Sequence, residues 1–224
     1  MVRKGFKEHK NDVTSMKINE MFYSLQGEGA LTGLPTVFIR TTGCNLRCTY
    51  CDTTYAYEEG TDLTLNQILR IIESYHCSSV CITGGEPLLQ KDFTALLSAL
   101  QRKQYTLCIE TNGSKSIKHL CGKKNVLISL DIKCPSSGMQ EQMSFRNIKL
   151  LSKTDQLKFI IKRKEDYEYA KRIITTYQPR CMIFLQPVWG TNPRRLAAWI
   201  LHDKLPVRLS LQLHKMLWGE KKGV

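Results

Sequence analysis

From residue 16 onward, short apolar runs alternate with stretches in which apolar residues recur every three or four positions. The runs at 18–23, 37–42, 80–83, 105–111, 126–131, 156–161, 181–186 and 207–213 read as strands. Between them, Leu65, Ile68, Leu69 and Ile72 fall at i, i+3, i+4 and i+7, as do Phe93, Leu96, Leu97 and Leu100. That spacing is one helix face, and Asp62 and Asp92 stand ahead of the two segments as caps. Further helices are predicted at 114–120, 145–151, 165–177 and 193–202. Strands alternating with amphipathic helices predict an α/β protein with a mainly parallel sheet. The chain's 224 residues fall short of the roughly 250 typical of a complete (β/α)₈ barrel, so the expectation is a partial, splayed, TIM-like one. Residues 16–224 show no linker or repeat and read as a single domain. Residues 1–15, basic and polar, read as a flexible tail rather than a signal peptide.

Polarity collects at the ends of the strands. Thr83-Gly84-Gly85-Glu86-Pro87 follows one, Glu110-Thr111-Asn112-Gly113 the next and Asp131-Ile132-Lys133 the third. Lys162, Gln186-Pro187 and His214-Lys215 close the others. In a parallel barrel these carboxyl ends share one rim, where active sites lie.

The net charge of +13 admits a nucleic-acid partner, but the basic residues are dispersed, from Arg3, Lys4, Lys7 and Lys10 to Lys221-Lys222. No aromatic-interleaved basic stripe of the kind a single-strand binder needs is present. A solvated basic surface is the better reading, with neither nucleic acid nor membrane as partner. No apolar run reaches the length of a membrane span. Nine cysteines without a secretion signal point to reduced thiols and a cytoplasmic protein.

Three of them, Cys44, Cys48 and Cys51, form a CxxxCxxC loop. A structural zinc site closes with a fourth Cys or His nearby, and none follows within twenty residues. An iron–sulfur cluster with one open iron is the better reading. The glycines of the TGGEP segment let backbone approach a ligand closely, and Glu86 offers an acceptor for an ammonium group. Upstream, Leu25-Gln26-Gly27-Glu28 is a compact shelf of donors and acceptors that suits a heterocycle with amino and lactam groups. Arg40, four residues before Cys44, suits a substrate carboxylate through a bidentate pair.

With CxxxCxxC and TGGEP about thirty residues apart, the chain resembles the radical S-adenosylmethionine (SAM) superfamily. The resemblance implies a [4Fe–4S] cluster on Cys44, Cys48 and Cys51, with SAM chelating the open iron. SLQGEG, CxxxCxxCDT and the late Gln212-Leu213-His214-Lys215 narrow the resemblance to the 7-carboxy-7-deazaguanine synthase family, over roughly residues 18–215. That family implies ring contraction of 6-carboxy-5,6,7,8-tetrahydropterin with loss of ammonia. It implies pterin contacts from Leu25, Gln26, Gly27, Glu28, Arg40, Thr83 and His214. It implies SAM contacts from Tyr50, Asp52, Gly84, Gly85, Glu86, Asp131, Ile132, Lys133 and Gln186, and Mg²⁺ on Thr53. A flavodoxin or ferredoxin as electron donor and a homodimer also follow from it. Two departures stand out: Asp131-Ile132-Lys133 where relatives often read Ser-Pro-Lys, and QLHK where they often read QTHK. The rival readings are a radical SAM activase that makes a glycyl radical on a partner protein, and a non-enzymatic zinc- or tRNA-binding module.

Overall fold

The computed structural model describes residues 15–224. In chain order the elements are β1 (Ser15–Leu25), β2 (Pro35–Thr41), β3 (Thr61–Thr64), α1 (Leu65–Ser74), β4 (Ser79–Gly84), α2 (Phe93–Arg102) and β5 (Thr106–Thr111). Then follow β6 (Val126–Ile132), β7 (Gln156–Ile161), α3 (Lys164–Tyr177), β8 (Met182–Pro187), α4 (Pro193–Asp203), β9 (Arg208–Leu209) and α5 (Leu213–Trp218). The strands form one sheet in the order β3-β1-β2-β4-β5-β6-β7-β8-β9. All neighbours from β2 onward are parallel, and β1 runs antiparallel to β2 and β3. The sheet stays open, with β3 and β9 as its edges. It is nonetheless curled, because Phe22, Arg40, Thr83, Glu110, Asp131, Lys158 and Gln186, from seven different strands, line one cavity. This is the partial barrel that the alternation predicts.

The period of two along each strand sorts side chains between two cores. Val37 and Ile39, Val80 and Ile82, Leu107 and Ile109, Ile128, Leu130 and Ile132, and Leu157 and Phe159 belong to the large core shared with the helices. Each fully buried side chain of this kind contributes roughly 1.5–3 kcal/mol. The alternate positions face the barrel interior. Deepest there are Phe38, Cys81 and Cys108, with Phe22, Leu31 and Leu127 packed on them. One step further along the same strands come Arg40, Thr83 and Glu110, on the cavity wall.

Several elements differ from the expectation. β3 was not foreseen, and it takes Asp62 into a strand; α1 is instead capped by Thr64, which accepts from the Gln67 backbone N–H in a capping box. Asp92 does stand at the N-cap of α2, although its side chain makes no cap bond. Segments 114–120 and 145–151 form short 3₁₀ turns rather than helices. Asn147 pins them, accepting from Ile117 N and donating to the carbonyls of Gly113 and Lys115. The last strand is only two residues long. Leu213 leaves the sheet because its N–H donates to Gly27 O, and a helix starts there. Ser15, expected in the tail, pairs with Thr64 in β1; the rest of that tail lies outside the described residues. Among the described residues no helix is long and apolar enough to cross a membrane.

Candidate active site

The three-cysteine loop leaves β2 at the carboxyl rim. Gly43 N donates to Ala56 O at 2.8 Å, Thr49 N to Ser137 O at 3.1 Å and Thr49 Oγ1 to Ser136 O at 2.6 Å. Leu46, 1 % exposed, plugs the loop into the core, and Arg47 donates to the carbonyls of Cys44 and Leu46. Cys44, Cys48 and Cys51 are free thiols and all line the cavity. Their sulfurs are not all within 4.8 Å of one another, the crowding that ligands of a single ion would show.

The glycine turn after β4 serves this loop directly. Gly85 N donates to Thr41 O at 3.1 Å and Glu86 N to Gly43 O at 2.8 Å. A Cβ on Gly84 would collide with Thr41, and one on Gly85 with Gly43 and Cys44. The glycines therefore permit two backbone segments to touch, besides lining the cavity themselves. Glu86 differs from the expectation. Its carboxylate is fully buried, takes hydrogen bonds from Leu88 N, Asn112 N and Thr111 Oγ1, and does not line the cavity. It ties the end of β4 to the end of β5 and so orders the turn. The Ile132 side chain also points away from the cavity. Strand parity turns it into the helix-facing core, whereas Asp131 and Lys133 on either side line the cavity.

The cavity encloses about 540 Å³. Leu25, Gln26, Gly27, Glu28, Arg40, Tyr50, Asp52, Thr53, Thr83, Gln186 and His214, all singled out in the sequence, line it. Arg40 donates from Nε to Glu20 at 2.7 Å, and Glu20 also accepts from Tyr55 Oη at 3.0 Å. The terminal nitrogens of Arg40 have no hydrogen-bond partner among the described residues. Thr83 Oγ1 donates to Glu110 at 2.8 Å and Gln26 Nε2 to the other Glu110 oxygen at 3.3 Å. Thr53 Oγ1 donates to Asp52 at 3.0 Å. Gly27 lacks a Cβ where the His214 imidazole sits; any side chain there would occupy the ring's place. His214 is on α5, not at a strand end, and burial pushes its pKa below the usual value, which favours the neutral ring.

Three further ion pairs brace the walls. Glu28 meets Lys158 at 2.5 Å and accepts from Gln212 at 2.8 Å. Burial opposes ionisation of Glu28, but the Lys158 charge and these hydrogen bonds outweigh it and bring its pKa to about 2. Asp131 pairs with Lys133 at 2.7 Å, and burial of Lys133 is overridden by Asp131, which holds the ammonium form. Asp52 pairs with Lys215 at 2.5 Å, and against the cost of burial Lys215 keeps that carboxyl below its usual range. Lys158, Glu110, Gln212, Lys215 and Asn112 also line the cavity, and the sequence motifs give them no individual role. Strand parity is the signal for Lys158, which shares the cavity face with Ile160; Lys162 has the same parity but lies past the end of β7 and is exposed. Buried Asp131 Oδ1, Gln186 Oε1 and Tyr50 Oη have no partner, so the wall keeps polar atoms ready for a bound molecule.

Three free thiols on one loop, a glycine turn packed on that loop and a polar cavity at a parallel-barrel rim define a radical SAM enzyme. The family model described as "Radical SAM superfamily" matches residues 38–180. Within that superfamily the chain belongs to the 7-carboxy-7-deazaguanine synthase family. It is 43% identical to the 7-carboxy-7-deazaguanine synthase of Methanospirillum hungatei over 210 residues, covering 91% of this chain and 86% of that one. It is 37% identical to that of Thermoplasma acidophilum, covering 93% and 100%. The crystal structure of QueE from Escherichia coli superposes with a TM-score of 0.74 at 26% identity, covering 92% of this chain and 100% of that one. Streptococcus suis SuiB, 15% identical with a TM-score of 0.57, shares the fold. Membership brings a [4Fe–4S] cluster and SAM, and the donor set fits both: three thiols on one loop, and unpartnered Asp131 and Gln186 oxygens in the same cavity. It also makes the chain an enzyme, a radical SAM lyase acting on a small molecule, rather than a zinc- or tRNA-binding module.

Proposed function

We propose that this enzyme converts 6-carboxy-5,6,7,8-tetrahydropterin into 7-carboxy-7-deazaguanine and ammonia, in deazapurine biosynthesis of the queuosine or archaeosine type. The observation that carries this reading is the pairing, in one cavity, of an Arg40 guanidinium with unengaged terminal nitrogens and a Gln26–Thr83–Glu110 ladder of donors and acceptors. A carboxylate on one end of the substrate and an amino-lactam edge on the other ask for those two groups.

When bound at Cys44, Cys48 and Cys51, the cluster together with SAM would supply the one-electron chemistry that starts hydrogen removal at C6 of the pterin. The protein's part is to bind, orient and exclude water. Arg40 would pair with the substrate carboxylate, oriented by Glu20 from behind. Leu25, Gln26, Gly27, Thr83 and neutral His214 would frame the ring. Glu28, already bound to Lys158 and Gln212, would contribute only its spare acceptor capacity. Tyr50, Asp52, Gly84, Gly85, Asp131, Lys133 and Gln186 would hold SAM. Mg²⁺ would take a single protein oxygen from Thr53, with substrate and water completing the octahedron. An acidic flavodoxin or ferredoxin suits a chain of net charge +13 as electron donor. Met216 and Leu217, 60% and 52% exposed on α5, suit burial in a homodimer. Residues 16–224 would act as one domain, in the cytoplasm.

Anaerobic reconstitution with iron, sulfide, SAM, reductant, Mg²⁺ and the carboxytetrahydropterin tests this reading. Carboxydeazaguanine and ammonia in equal amounts are expected, without any protein partner. Failure to form the deazaguanine, or turnover only when a glycyl-radical enzyme is supplied, overturns it.

A further inference from the structure

Beneath the cavity floor lie two cysteines that the cluster does not use. Cys81 and Cys108 are register partners on the adjacent strands β4 and β5, 0% and 2% exposed. Their sulfurs and a Glu110 oxygen all lie within 4.8 Å of one another. Among the described residues this is the one group of three Cys, His, Asp or Glu that packs so closely. Phe22, Phe38, Leu31 and Leu127 wall it. Its polar neighbours are few. Gln26 Nε2 is 3.6 Å from Cys81 Sγ and 3.3 Å from Glu110, and Thr83 Oγ1 donates to Glu110. A buried cysteine is an ordinary small apolar filler, but packing alone does not call for a carboxylate beside two of them.

We propose that Cys81, Cys108 and Glu110 form a site for a thiophilic divalent cation of the zinc or cadmium class, and that filling it closes the floor of the substrate cavity. Two sulfurs and a carboxylate match the ligand preference of such ions, while Mg²⁺ prefers oxygen alone. Sulfur ligands about 2.3 Å from one tetrahedral ion lie about 3.8 Å apart, so the group needs only a small contraction. Binding forms two metal–sulfur bonds and releases two thiol protons to solvent. The fourth position falls to the Gln26 carbonyl oxygen once the amide turns over, or to water. Gln26, Thr83 and Glu110 are all cavity-wall residues, so the ion and the substrate draw on the same groups. This last consequence rests on the substrate reading given above; the metal site itself does not.

The test uses cluster-loaded enzyme, one equivalent of Zn²⁺, gel filtration and metal analysis, followed by zinc-edge X-ray absorption. The expected result is one retained zinc per chain with two sulfur ligands and lighter atoms, and unchanged iron. The near-isosteric Cys81→Ser and Cys108→Ser variants, and Cys108→Ala as an independent check, should each lose at least tenfold in zinc affinity while keeping their iron. Zinc without sulfur ligands, sulfur-ligated zinc that persists in the variants, or uptake accompanied by iron loss overturns the site. In steady-state assays zinc should raise the apparent KM for the pterin several-fold and leave kcat unchanged. Retained zinc with an unaltered KM overturns the competition. An enzyme that binds zinc as described but does not turn over the pterin leaves the site standing and removes only the substrate reading.

Discussion

Arg40 shows how little of a side chain's role its type reveals. Its position suggested carboxylate binding, and the structure adds Glu20, which fixes Nε and leaves the other edge of the guanidinium to the cavity. Arg40→Lys should therefore cost 10- to 1000-fold in kcat/KM, since an ammonium cannot hold both Glu20 and a bidentate carboxylate. Glu20→Gln should raise KM more modestly and spare a pterin analogue without the carboxylate; equal loss for both analogues would argue against orientation of Arg40. Glu28 carries a different prediction. Its pKa of about 2, against an ordinary 4.5, means that its contribution to stability is complete above 4.5 and is lost as pH falls through 4.5 toward 2. The amount is on the order of 3 kcal/mol. Denaturant titrations at stepped pH should show that acid loss in the wild type and not in Glu28→Gln. The variant should be less stable at pH 7 by about 3–5 kcal/mol, because Lys158 is left buried without its partner.

Among the elements, the β4–glycine turn and the cluster loop act as a pair. Gly85→Ala should push Gly43 and Cys44 outward. Purified anaerobically, this variant should hold well under half the iron of the wild type; full iron loading and normal absorbance would contradict the packing role. Gly27→Ala is the counterpart on the β1 side. It should expel the His214 ring, with at least a tenfold fall in kcat/KM while iron content stays normal. The alternation of strand and helix was legible because each strand buries one face in the large core. So were CxxxCxxC and TGGEP, since they are contiguous. The positions of Glu86 and Ile132 were less legible: motif membership said that they matter, and only strand parity and a hydrogen-bond inventory say that neither lines the cavity. The cap of α1 is hard to read for a comparable reason. Asp62 and Thr64 are both good caps, and pairing of residues 61–64 with β1 decides between them.

Across the whole molecule, what sequence could not supply is the meeting of distant segments. Lys158 faces Glu28 across 130 positions, Lys215 faces Asp52 across 163 and Gln212 faces Glu28 across 184. No local pattern encodes such partners, and a charge count of +13 conceals that several of these cations are spoken for inside. The remaining surface charge should be felt by an acidic electron carrier. Raising salt from 50 to 300 mM should increase the carrier's KM severalfold, while turnover driven by a small reductant stays level; a salt-independent KM would count against charge-guided docking.

The seam between the first strand and α5 has a consequence for the order in which the molecule is made. Gly27 receives Leu213, Glu28 receives Gln212 and Asp52 receives Lys215. On the ribosome, residues 27–52 must wait for almost the whole described chain to be synthesised before any of these links can form. The cysteine loop is therefore translated early and walled in late. A nascent chain has its thiols long before it has a closed reaction chamber, so sealed radical chemistry belongs only to the finished protein.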